Sequence, residues 1–166
     1  MTADSRYIRN EIISWERLQR DVRELSSRLL KEHPPFKGLI AVTRGGLVPA
    51  AIVARELGIH HIDTLCMVSY DWKLQSDSGC TVLKGVEGDG EGKLVIDDLV
   101  DTGTTAQEVR RLLPRAHIAC IYAKPAGVPH VDTYIREVAQ DTWVLFPWDS
   151  APQFIEPLAV GRAPKE

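Results

Sequence analysis

The chain has 166 residues, of which 44% are hydrophobic and 26% charged, and it carries a formal net charge of −3. That length suits one domain, here residues 1–166, able to bury about two-thirds of its unfolded surface. The charge balance lacks the Lys/Arg cluster of a nucleic-acid footprint, and nothing approaches the roughly 18 apolar residues of a membrane span.

The N-terminal "MTADSRYIRNE" is too polar and acidic for a secretory signal. Cys66, Cys80 and Cys120 show no CxxC spacing, which predicts reduced thiols in a cytoplasmic protein. Ser14 is placed to cap a helix whose apolar residues Trp15, Leu18, Val22, Leu25 and Leu29 recur at helical spacing to about Glu32. "LIAVT" (39–43) reads as a buried strand. After "RGG" comes the helix "LVPAAIVARELG", with Pro49 in its first turn and Gly58 to end it. Residues 61–70 read as the next strand, and "DWKLQSDSGCT" as a long loop of the kind that forms lids. "VEGDGEG" is a turn and "KLVIDD" a buried strand. Thr102 or Thr104 is placed to cap the helix "TAQEVRRLL", which Pro114 closes. Strands follow at 117–124 and 142–148, separated by the turn "PAGVP", and the tail from Ser150 has little periodicity.

This alternation predicts an α/β fold: a mostly parallel central sheet flanked by helices. Ligands of such sheets bind beyond the carboxyl ends of the strands. Three segments with notable chemistry end there, namely Thr43–Gly46, Asp97–Thr105 and Lys124–Gly127.

"KLVIDDLVDTGTT" is the most informative of them. Asp97, Asp98 and Asp101 crowd three like charges, which destabilise unless something neutralises or uses them. The small residues after them let backbone N–H groups converge at a helix N-terminus and favour an anion. Carboxylates at the edge of a phosphate cradle make sense with a hard cation such as Mg²⁺, or sugar hydroxyls, between them. The segment is neither a Walker A loop nor a GxGxxG fingerprint. "EGDGEGKLVIDD" has the spacing of a calcium loop, with Gly92 sixth, but Asp98 stands twelfth and a strand replaces the helix, so a solvated hairpin turn is preferred. The pairing of Asp97–Asp98 with Lys124–Pro125 is also superficially that of a receiver domain. The spacing is too short, and no third acid lies on an intervening strand.

"VIDDLVDTGTT", "TRGGLVPA", "SYD" before the long loop, "AKPAG" and "DTWVLFPWD", in this order, resemble the type I phosphoribosyltransferases that act on purines. The resemblance covers nearly the whole chain. It implies that family's fold with a mobile hood loop, and transfer of the phosphoribosyl group from phosphoribosyl pyrophosphate (PRPP), bound with Mg²⁺, to N9 of a 6-oxopurine. Asp97 and Asp98 would face the ribose hydroxyls and the metal's water shell, with Asp98 nearer the metal. Leu99 and Val100 lead into Asp101, the general base. The backbone of Thr102, Gly103, Thr104 and Thr105 would take the 5′-phosphate. Arg44 and Gly45 would contact pyrophosphate, with a cis peptide at Arg44–Gly45. Lys124 would donate to the purine O6, Trp143 would stack on the base, and the Val144 backbone would meet its 2-position. The resemblance further implies a homotetramer, with membrane association at most peripheral.

Two departures stand out. The hood segment "DWKLQSDSGC" lacks an arginine and offers only Lys73, and Val144 stands where a larger aliphatic residue is usual. A transcriptional regulator keeping this fold as a PRPP sensor is the alternative from another class. Residues 1–36, however, supply no helix-turn-helix.

Overall fold

The computed structural model describes residues 7–69 and 80–149. They fall into two compact units, the described parts of Met1–Leu18 with Asp141–Glu166, and Gln19–Gln140. Along the chain run β1 (Arg9–Ile12), α1 (Trp15–Glu32), β2 (Gly38–Thr43), α2 (Leu47–Leu57), β3 (Ile62–Ser69), β4 (Cys80–Lys84), β5 (Lys93–Val100), α3 (Thr104–Leu112), β6 (His117–Ala123), β7 (Arg136–Glu137) and β8 (Thr142–Leu145). Among the described residues no helix is long and apolar enough to cross a membrane.

In the smaller unit β1 and β8 form a two-stranded parallel sheet, Arg9 opposite Thr142 and Ile12 opposite Leu145. The Ser14 hydroxyl accepts the Arg17 N–H at 3.1 Å, as its capping position predicts. Leu18, Val22, Leu25 and Leu29 are buried, whereas Trp15 is exposed and meets Trp148 edge-on at 6.2 Å. The expected strand over 142–148 stops at Leu145, because Pro147 opens a short 3₁₀ turn, Pro147–Asp149.

In the larger unit six strands order as β4-β3-β2-β5-β6-β7, parallel except for the β3–β4 pair. The run "GLIAVT" of β2 is buried almost throughout, as a strand covered on both faces must be. Gly58 ends α2 with φ +66°, and its N–H reaches the Arg55 carbonyl. Cys80 and Thr81, read from sequence as loop, open β4 and pair with Ser69 and Val68. The "GDGEG" turn is held by Arg115, which pairs with Asp89 at 3.3 Å and Glu91 at 2.6 Å.

The sheet core joins Ile40, Val42, Leu65, Val95, Val109 and Ile118. A charged knot is buried beside it. Asp21 is fully buried, accepts from the Tyr122 hydroxyl at 2.8 Å, and pairs with Arg136 at 3.2 Å. Between β2 and β5 the strand order turns outward in both directions, so the loops leaving these two neighbours open a crevice at the carboxyl edge.

Candidate active site

The turn after β2 lies on one side of that crevice. Thr43–Arg44 is a cis peptide bond, one residue before the Arg44–Gly45 bond. Arg44 is exposed, and the Thr43 hydroxyl is buried with no hydrogen-bond partner among the described residues. Gly45 and Gly46 are required by close approach. A Cβ on Gly45 would sit 2.5 Å from Asp98 Cγ, and one on Gly46 would sit 2.6 Å from the Val42 carbonyl oxygen. This turn therefore packs directly against Asp98 in the last part of β5.

β5 runs through both acids to Val100, two residues beyond the "KLVIDD" of the sequence reading, with Leu99 and Val100 opposite Tyr122 and Ala123 of β6. Asp97 Oδ1 accepts the Asp98 N–H at 2.9 Å, and Asp98 Oδ1 accepts the Leu99 N–H at 2.7 Å. Burial, and then the negative charge of Asp98, push the Asp97 carboxyl well above the usual carboxylate range. The Cys120 thiol, opposite Asp97 in the sheet, is pushed up by burial and by Asp97, and so stays neutral. No disulfide joins Cys66, Cys80 and Cys120.

Asp101 leads into Thr102–Thr105. Neither Thr102 nor Thr104 caps α3. Their hydroxyls lie 3.0 Å from each other, and the cap position belongs to Gly103, left-handed at φ +90°. A side chain at 103 would also strike the ring of His130, whose Cγ would be 2.8 Å from a Cβ there. The first α3 amides have no earlier helical carbonyl to meet, and a glycine turn leaves them accessible to an anion.

β6 ends beside β5 and delivers Lys124. Its N–H donates to the Val100 carbonyl at 2.9 Å, and its side chain is 1% exposed. The Lys124 Nζ donates to Asp101 Oδ2 at 2.7 Å. The other oxygen, Oδ1, accepts from the Gln140 amide at 2.8 Å. The structure thus joins two residues that the sequence could only place separately. It adds two that the sequence reading missed, Gln140 and His130. Neither carries a local signal, since each meets its neighbour through the fold.

Trp143 and Val144 lie in β8 of the smaller unit. Trp143 is 43% exposed and meets Tyr7 edge-on at 5.0 Å, while Val144 is buried. Lys73 and the expected hood loop lie outside the described residues.

A mostly parallel sheet whose order switches between β2 and β5 is the architecture of an α/β protein that binds its ligand at the carboxyl ends of those strands. The family model for the phosphoribosyl transferase domain matches residues 9–155. The chain is 59% identical to xanthine-guanine phosphoribosyltransferase of Desulfotalea psychrophila, over 94% of this chain and 96% of that one. It is 52% identical to the protein of the same name from Gluconobacter oxydans, over 88% of each. Among solved structures, a purine phosphoribosyltransferase from Pyrococcus horikoshii superposes with a TM-score of 0.74 at 23% identity, covering 90% of this chain and all of that one. A Helicobacter pylori xanthine-guanine-hypoxanthine phosphoribosyltransferase gives 0.69 at 17% identity, covering 85% and 94%. The chain belongs to the phosphoribosyl transferase family and is an enzyme of the pentosyltransferase class.

Proposed function

We propose that the protein transfers the 5-phosphoribosyl group of PRPP to N9 of a 6-oxopurine, xanthine or guanine and also hypoxanthine. The products are the nucleoside 5′-monophosphate and pyrophosphate, and the role is purine salvage. One observation carries the reading. A buried lysine and a carboxylate, bonded at 2.7 Å, stand at the ends of adjacent strands. Side by side they offer a donor for a purine O6 and an acceptor for the neighbouring ring N–H. Adenine would bring an amino group to the ammonium, donor against donor, and be rejected. The names of the relatives at 59% and 52% identity support xanthine and guanine among these bases.

The acids suit Mg²⁺ by donor type. Asp97 and Asp98 offer hard carboxylate oxygens, and the like-charge cost at Asp97 is relieved by a cation. Asp98 would hold its water shell. When bound, Mg²⁺ neutralises charge on the departing pyrophosphate.

The residues divide the remaining work. Arg44 offers a forked donor to pyrophosphate, and Gly45 lets the backbone come close. Asp97 and Asp98 orient the ribose hydroxyls, while the amides of Thr102–Thr105 hold the 5′-phosphate. Asp101 takes the proton that the base loses as its N9 bonds C1′. Trp143 stacks on the base and the Val144 backbone reads the 2-position, on the strength of the resemblance and of the exposed Trp143 ring. The test is direct. Purified protein with PRPP and Mg²⁺ is offered xanthine, guanine, hypoxanthine and adenine in turn. Nucleotide is expected from the 6-oxopurines and not from adenine, and absence of any 6-oxopurine nucleotide overturns the proposal.

A further inference from the structure

We propose that Gln140 is a positioning residue for Asp101, and that it decides which carboxylate oxygen receives the purine proton. This deepens the transfer reaction above and rests on it. The orientation of the Gln140 amide is fixed by chemistry. Its Oε1 accepts the Ala126 N–H at 2.9 Å, and a backbone N–H can only donate. The NH₂ end must therefore face Asp101, where it donates to Oδ1 at 2.8 Å.

The anchor is firm. Ala126 belongs to the Lys124–Gly127 turn, closed by the Gly127 N–H on the Lys124 carbonyl at 2.8 Å. Gly127 packs so closely that a Cβ there would lie 2.8 Å from the Asp101 carbonyl oxygen. One turn thus carries Lys124 and, through Gln140, also orients the acid that Lys124 meets.

The two oxygens of Asp101 are consequently unlike. Oδ2 faces an ammonium that an incoming purine O6 draws away, while Oδ1 faces an amide tied to the backbone. As the base docks, Lys124 moves its hydrogen bond from Oδ2 to O6. The ring N–H bond breaks, its proton passes to Oδ2, and the electron pair left on the base serves the N9–C1′ bond. The C1′–O bond breaks with its electrons leaving on pyrophosphate. Throughout, Gln140 keeps Oδ1 and hence the plane of the carboxylate, which a proton transfer across one hydrogen bond requires.

Gln140 is exposed, so its replacement can be read in the folded enzyme. Gln140→Leu removes both bonds with an apolar side chain one atom shorter. Gln140→Glu keeps an acceptor for Ala126 and sets a carboxylate against Asp101. Each is measured for kcat and KM in the wild-type and Asp101→Asn backgrounds, with guanine and PRPP. Gln140→Leu is expected to lower kcat about ten-fold, leaving KM for PRPP within about two-fold, and Gln140→Glu to lower it at least as much. In the Asp101→Asn background the same change should alter kcat by less than about two-fold, because the group being positioned is gone. Wild-type kcat in Gln140→Leu, or an equal loss in both backgrounds, overturns the inference. If Gln140→Leu fails to fold, Gln140→Glu and its cycle decide alone. A wild-type enzyme that makes no 6-oxopurine nucleotide sinks the transfer reading, and this inference with it, before any variant is examined.

Discussion

Gly45 and Asp98 stand so close that a methyl group on the glycine would lie 2.5 Å from the carboxylate carbon. The turn after β2 and the acid at the end of β5 therefore form one surface, and the size of residue 45 sets its shape. Gly45→Ala is expected to part the two, raising KM for PRPP about ten-fold or more while the fold persists. Steady-state kinetics with a parallel melting curve checks this, and an unchanged KM would show that the contact is incidental.

Asp101→Asn removes the acceptor for the purine proton and keeps the shape of the side chain. Turnover should fall about a hundred-fold or more, with PRPP affinity by calorimetry within about two-fold of the wild type. Undiminished turnover would take Asp101 out of the mechanism.

Lys124→Ala deletes the group that tells an oxygen from an amino group at the purine 6-position. The ratio of kcat/KM for guanine over adenine is expected to drop about ten-fold or more. Selectivity equal to that of the parent would leave the lysine a structural role alone.

Away from the site, His117 predicts a pH dependence of stability. Its ring lies tilted at 57° to that of His33 with ring centres 4.1 Å apart, and its ring Nε2 lies 2.9 Å from the Thr133 hydroxyl. Burial, and then the neighbouring His33, hold its imidazole below the usual histidine value, with Arg110 adding to this and Asp132 and Glu32 opposing it. The unfolded chain then binds the proton more readily than the folded one. The contribution is present above a pH of about 6.5 and is lost as pH falls through the folded value. Urea midpoints should be higher at pH 7.5 than at pH 5.5, and the gap should narrow in His117→Gln. The same gap in both proteins would assign the dependence to other groups.

What was legible in the sequence was what is local. The Ser14 cap, the Gly58 stop and the α1 stripe from Leu18 to Leu29 each depend on a few consecutive residues and stand where their spacing predicted, whereas Trp15 of that stripe is exposed and β5 carries the acid pair two residues inside its end. The cap of α3 was misread because the ring of His130 and the left-handed backbone at 103 together select glycine over the flanking threonines. The bond from Lys124 to Asp101 was out of reach because it depends on the β5–β6 register across 23 residues, which no nearby residue announces. Asp21 hides for a related reason. Helical periodicity singles out apolar residues, and a carboxylate buried against Tyr122 breaks the pattern it sits in. Strands β1 and β7 were missed because "RNEI" and "RE" are short, largely polar and without alternation.

The pairing of β1 with β8 has a consequence for biosynthesis. Arg9 cannot meet Thr142 until about 130 further residues have been made, on the order of ten seconds after β1 itself appears. Every strand of the six-stranded sheet precedes β8 in the chain. β1 therefore has to wait unpaired while every strand of the large sheet is made, and the two-stranded sheet can close only after all of them exist.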